Sequence, residues 1–187
     1  SYQYIAMYNV INNFALNEHN PMSSGGWNKT YMADALSDHT VKAIARPNND
    51  TLYVSTMLDL RSDPVVVHYP AFDSKFVSLE TSAYDHYVDI PLSTTKGDFK
   101  RPVTMLYYTD RTQGYDGAPV EGVDKTMKMS GDFAVAFLRI MPHAAEPERL
   151  KKNMAAMKEI TVKTLSEHLG KPARPVKKTR FPAFGRD

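Results

Sequence analysis

The feature that most constrains this chain is a succession of short apolar runs, each stopped by turn-forming residues. Leu52, Val54, Leu58 and Leu60 occupy the even positions of the first run. Pro64 opens Val65-Val66-Val67-His68-Tyr69, and Pro70 closes it. Further runs follow at 76–79, at 82–90 before Pro91, at the Tyr- and β-branched-rich 103–108, and at the almost wholly apolar 133–141. A period of two puts alternate side chains on one face of a pleated strand, and proline interrupts a ladder. The pattern predicts a mainly β fold, a β-sandwich or a related barrel. With 187 residues there is room for one well-cored domain, or for one domain with a helical appendage.

The two ends follow a different period. Tyr4, Tyr8, Ile11 and Ala15 stand at helical spacing, which predicts a short amphipathic helix over 2–16. A loop rich in Pro, Ser and Gly comes next, and Trp27, the only tryptophan, reads as its anchor. Near the other end, Glu146-Pro147-Glu148 resembles a helix start, with proline in the first turn and acids at the positive dipole end. Leu150, Met154, Met157, Thr161 and Leu165 then recur at steps of three and four, until Gly170 and Pro172. That spacing predicts one helix over 146–170, roughly 35 Å long at 1.5 Å per residue. The resulting division is an N-terminal helical and loop segment over 1–40, a β-sandwich core over 41–145, the helix over 146–170 and a basic linker or tail over 171–187.

Charge and composition exclude several classes. The net charge of +2 argues against a nucleic-acid-binding protein. The basic excess is concentrated at 146–180, with ten Lys and Arg against four Glu, which reads as a solvated helix and tail. A phosphate- or membrane-binding tail is the alternative. The absence of cysteine excludes disulfides and thiolate metal sites. No apolar run reaches the length of about 18 residues that a membrane span needs. The start at Ser1-Tyr2 and the apolar ending Phe181-Pro182-Ala183-Phe184 suggest a processed form or part of a longer polypeptide.

The candidate site centres on Ala45-Arg46-Pro47-Asn48-Asn49-Asp50-Thr51-Leu52-Tyr53. Pro47 fixes its own φ and pushes Arg46 towards an extended conformation. Asn48, Asn49 and Asp50 are turn formers that bond their own backbone. The segment therefore reads as a corner that feeds a core strand and presents Arg46, Asn48 and Asp50 together. Arg46 would hold an anionic group while Asp50 orients a water or hydroxyl. Alternatively, the two pair with each other and the amides brace the corner. In Tyr84-Asp85-His86-Tyr87, read as strand, Tyr84 and His86 share one face. His86 is the candidate proton carrier, or else a buried histidine bonded to backbone or tyrosine. Tyr53 and Tyr84 would line a cleft suited to sugars or aromatic ligands, or serve only strand packing. His39, His86 and His143 show no ligand spacing, and no metal or cofactor is expected.

The Arg46–Tyr53 run, Asp59-Leu60, Pro64-Val65-Val66 and Tyr84-Asp85-His86-Tyr87 together resemble a bacterial family, domain of unknown function twelve fifty-four. Lys96-Gly97-Asp98-Phe99, Gly131-Asp132-Phe133 and Arg139-Ile140-Met141-Pro142-His143 add to the likeness. The resemblance implies an immunoglobulin-like β-sandwich with helical additions and export to the bacterial envelope, including the periplasm. It also implies a second uncharacterised domain that follows in longer relatives. Two functions are open at this point. The first is an envelope module that binds a small polar or glycan-like ligand, assembles with copies of itself, or packs on a second domain. The second is a hydrolase or lyase for an anionic or carbohydrate substrate. There Arg46 would be the clamp, His86 would move the proton, and Asp50 with Tyr84 would orient.

Overall fold

A computed structural model of the chain describes residues 2–33 and 51–185. It is mainly β, with two sheets and a few short helices. Helix α1 (Tyr2–Leu16) leads to β1 (Lys29–Met32). Strands β2 (Leu52–Asp59), β3 (Val65–Tyr69), β4 (Val77–Ala83), β5 (Val88–Ser93), β6 (Val103–Tyr108), β7 (Lys125–Lys128) and β8 (Phe133–Ile140) follow. The chain closes with α2 (Pro147–Met157), β9 (Thr161–Thr164) and α3 (Leu165–His168). One sheet has the order β1-β2-β8-β4-β5 and the other β7-β6-β3-β9. All pairings are antiparallel except β6 with β7, which is parallel.

The alternation seen in the sequence explains how the sheets meet. Leu52, Val54 and Leu58 of β2 share one core with Leu79 of β4 and with Ala134, Ala136, Leu138 and Ile140 of β8. Val65, Val67 and Tyr69 of β3, with Met105 and Tyr107 of β6, complete it from the other sheet. Each such side chain removed from water contributes about 1.5–3 kcal/mol. Inside this core the Tyr69 and Tyr107 hydroxyls bond each other at 3.0 Å. The opposite face of the first sheet is covered at one end by α1. Ile11, Phe14 and Ala15 pack there with Met57 and Tyr84, and Phe133 and Val135 border them.

Two expected elements differ. The single helix over 146–170 is instead α2, a turn, β9 and α3. Ile160, Thr161, Val162 and Thr164 bring β-branched side chains that lose freedom in a helix and fit a pleated surface. They pair with β3, with Val67 opposite Val162 and Val65 opposite Thr164. The three-and-four spacing survives only because Met157 faces the main core and Leu165 a smaller cluster with Val66 and Leu106. The strand expected over 82–90 is a hairpin. Beyond Ala83 the chain turns, with the His86 N–H donating to the Ala83 carbonyl at 3.1 Å and His86 at φ 66°.

The stretch after α3 is not a free linker. Arg174 donates to the carbonyls of Gln113 (2.5 Å) and Ser62 (3.3 Å). Arg61 donates to the Lys177 carbonyl (2.6 Å) and the Thr179 hydroxyl (2.5 Å). Phe181 then lies against Trp27 and Phe133. At the outer edge of the first sheet, Pro91 of β5 has no N–H, and the Lys96 ammonium caps the Ile90 carbonyl. Among the described residues no helix is long and apolar enough to cross a membrane.

Candidate functional site

The register of the first sheet defines its two ends. Leu52 and Val77 both lie opposite Ile140, whereas Leu58 and Ala83 both lie opposite Ala134. Six residues at about 3.3 Å each separate these levels by roughly 20 Å. Thr51 and Tyr53 belong to the first end. The hairpin of Tyr84 and His86 belongs to the second.

Arg46, Asn48 and Asp50 lie outside the described residues. Tyr53 is buried, sits opposite Arg139, and packs against Phe137 in a tilted pair with ring centres 5.1 Å apart. Tyr84 is also buried, at the far end, and its hydroxyl donates to Asn12 Oδ1 at 2.6 Å. Burial pushes its phenol well above the usual tyrosine value. It therefore stays protonated and anchors α1, and it is not a rim group of a cleft. His86 is exposed in the turn. The structure thus separates Tyr84 and His86 from Tyr53 by the length of the sheet, and the shared strand face expected for Tyr84 and His86 does not exist.

The first end carries a polar constellation that the sequence reading did not assemble. β8 delivers His143 there, nearly buried and at φ 56°. The backbone N–H of Lys75 donates to His143 Nε2 at 3.1 Å. A backbone amide can only donate, so Nε2 carries a lone pair and the ring proton sits on Nδ1. Nδ1 faces Glu146 Oε1 at 3.4 Å. Arg149 joins both sides: its Nε donates to the Asp73 carbonyl (2.8 Å) and faces Asp73 Oδ1 (3.2 Å). Its Nη1 donates to Glu146 Oε1 at 3.3 Å. Lys152 Nζ donates to Asp73 Oδ2 at 3.3 Å, and this bond leads the causes that hold the Asp73 carboxyl below its ordinary value. Beneath them Asn153, fully buried, gives its Nδ2 to the Asp73 carbonyl at 2.9 Å.

Asp73, Glu146, Glu148, Arg149 and Lys152, with Pro147, line an open cleft of about 570 Å³. Three carboxylates and two cations line it, with Arg149 paired to Asp73 and Glu146 and Lys152 to Asp73, so it offers acceptors and donors in neighbouring positions. His143 braces the wall through the Lys75 N–H bond to its Nε2, with Nδ1 turned towards Glu146. His143 and the 146–148 segment were visible in the sequence, as a metal candidate and as a helix start. Asp73, Arg149 and Lys152 belong to no motif, and only the approach of the loop before β4 to α2 joins them.

The opposite end is a closed network. Arg61 holds Asp59 at 2.8 Å, and its guanidinium lies 4.6 Å above the Phe133 ring. Arg111 holds Asp132 at 2.9 Å, and the Thr109 hydroxyl donates to the same carboxylate at 2.8 Å. Gly131-Asp132-Phe133 is therefore a brace between the sheets' loops. Lys96-Gly97-Asp98-Phe99 is a tight turn, with Gly97 at φ 84° and Phe99 at φ 65°. Among the described residues no group of three or more His, Asp or Glu could hold a metal ion.

Comparison with known proteins gives the following. The family described as "Protein of unknown function (DUF1254)" matches residues 27–164. The crystal structure of the VPA0106 protein from Vibrio parahaemolyticus aligns with a TM-score of 0.69 and 24% identity over 96% of this chain. This chain spans 40% of that protein's chain. A putative uncharacterized protein from Burkholderia cenocepacia aligns with a TM-score of 0.40 and 15% identity, over 83% of this chain and 46% of that one. No curated protein matches. The Vibrio likeness shows a common fold.

Proposed function

Because this chain belongs to DUF1254, a family of proteins of unknown function, we propose that it is a non-catalytic module binding a small polar, glycan-like ligand beside α2. The observation that carries this reading is the open cleft in which Asp73, Glu146, Arg149 and Lys152 place acceptors and donors side by side. Sugar hydroxyls both donate and accept, so they match neighbouring carboxylate and cation partners better than a ligand of one charge would. Phe76, partly exposed and carrying a carbonyl bonded to Met141 N–H, adds an apolar face at the same sheet end.

Of the residues in the hydrolase or lyase reading, Tyr84 is buried with its hydroxyl on Asn12 and His86 is exposed in a turn, while Arg46 and Asp50 lie outside the described residues. Export to the bacterial envelope stays a proposal founded on the family resemblance, as does packing on a following domain or on further copies. The immunoglobulin-like description is proposed for the antiparallel strands, and the parallel β6–β7 pair is where it departs.

NMR titration of the chain with a panel of neutral and acidic oligosaccharides tests the reading. Shifts should cluster at residues 73–76 and 146–153. Arg149→Ala should weaken the response about tenfold or more, the loss of one charge-assisted contact of about 1.5–3 kcal/mol. Shifts scattered over the surface, or an unaffected Arg149→Ala, would sink it.

A further inference from the structure

The tail and α1 hold each other. Asn9 uses its whole amide on Phe184: Nδ2 donates to the Phe184 carbonyl at 2.8 Å, and Oδ1 accepts the Phe184 N–H at 3.0 Å. This is the bond pattern of a paired strand residue, made by one side chain. The Tyr8 ring lies between Tyr84 (5.1 Å) on the sheet side and Phe184 (5.0 Å) on the tail side. Phe181 fills the angle between Trp27 (5.6 Å) and Phe133 (5.0 Å, edge to face).

Helix α1 is fixed on its inner face by the buried Ile11, Phe14 and Ala15 and by the Tyr84 bond to Asn12, and the tail holds its outer side. It carries no acid in its first turn and no base in its last, and a 15-residue helix is marginal without tertiary packing. Tyr2, Tyr4, Val10 and Leu16 stay exposed, while Ile11, Phe14 and Ala15 make the buried contact. A gap of about 250 Å³ remains between its Asn9–Asn17 side and Phe181–Ala183, so the two are joined at points and not along a packed seam. Upstream, the tail is tied to the body of the domain by Arg61, which donates to the Lys177 carbonyl and the Thr179 hydroxyl, and by its own Arg174, which donates to the Ser62 and Gln113 carbonyls.

We infer that residues 178–185 form a detachable latch for α1, released at Phe181 and Phe184 while the sandwich stays folded. Closed, the latch covers Trp27 and Phe133 with Phe181 and backs Tyr8 with Phe184. Open, it loosens the outer side of α1 and bares Trp27 and Phe133. The tail beyond α3 is thereby coupled to an element at the opposite end of the chain, and anything that pulls on the tail acts on α1.

The full chain carrying Phe181→Ala and Phe184→Ala tests this by hydrogen exchange and by emission of Trp27, the only tryptophan. Amides of α1 should exchange about tenfold or more faster, with those of β2 and β8 unchanged, as for a local opening. Trp27 emission should shift to the red. A synthetic peptide of residues 178–185 added in excess should restore both signals. Asn9→Ala, which leaves the rings in place, should give the same exchange pattern more weakly. Unchanged α1 protection in both variants would overturn the latch. So would loss of α1 only together with β2 and β8, or a peptide that restores nothing.

Discussion

Tyr69 and Tyr107 place two bonded phenols in the dry space between the sheets. Burial, the larger cause for each, disfavours the phenolate and raises both titrations above the ordinary tyrosine value. The unfolded chain ionises near pH 10 while the folded chain keeps these protons. Their stabilisation is therefore complete below about pH 10 and is lost as pH rises beyond it. The loss should run at about 1.4 kcal/mol per pH unit for each tyrosine that ionises only on unfolding. Urea denaturation from pH 9 to about 11 checks this, and Tyr69→Phe should reduce the slope by one tyrosine's share. Single residues were also the hardest thing to read in advance. Tyr84 looked like a cleft residue, because a tyrosine beside Asp and His carries no sign that a hairpin will point it at Asn12. The cleft residues Asp73 and Arg149 are 76 positions apart and touch only in three dimensions.

Elements were legible where one physical demand dominated. Each of β2, β3, β6 and β8 announces itself by alternation or by a closed apolar run, since both sheets bury a face against the same core. The 2–16 helix is likewise present as α1. Over 158–165 two demands competed, and the need to pair the edge of β3 won over helical spacing. The short helix that follows depends on its cap. Thr164 Oγ1 accepts the Glu167 N–H at 3.2 Å, and Glu167 Oε2 accepts the Thr164 N–H at 2.8 Å. A four-residue helix has too few internal bonds to persist alone. Thr164→Ala should cost about 1 kcal/mol in urea unfolding, and Thr164→Ser should recover most of it. An alanine variant as stable as the parent would mean that docking of Leu165, and not the cap, holds α3.

For the molecule as a whole, Arg61 is the point where sheet, loop and tail converge. It satisfies the nearly buried Asp59, covers Phe133 and reaches the tail at Lys177 and Thr179. Arg61→Ala would leave Asp59 buried without its cation, a loss of about 3–5 kcal/mol. Chemical denaturation should show that loss, and hydrogen exchange should show the tail released at the same time. A change under about 1 kcal/mol would mean that the backbone N–H of residue 61 and water satisfy the Asp59 carboxylate instead. Nothing in the sequence marks Arg61 as such a centre, because its partners come from three separate segments.

The guarded border at β5 matters beyond the single molecule. A strand with free amides and carbonyls invites a neighbour to continue the ladder, the first step towards fibrous deposits in a crowded compartment. Pro91 withholds a donor, and the Lys96 ammonium occupies the acceptor at Ile90. An incoming chain would have to break that charge-assisted bond and accept a missing rung before it gained anything. Tyr87, Val88 and Ile90 stand open to solvent beside this border, where the occupied acceptor and the absent donor work against such recruitment.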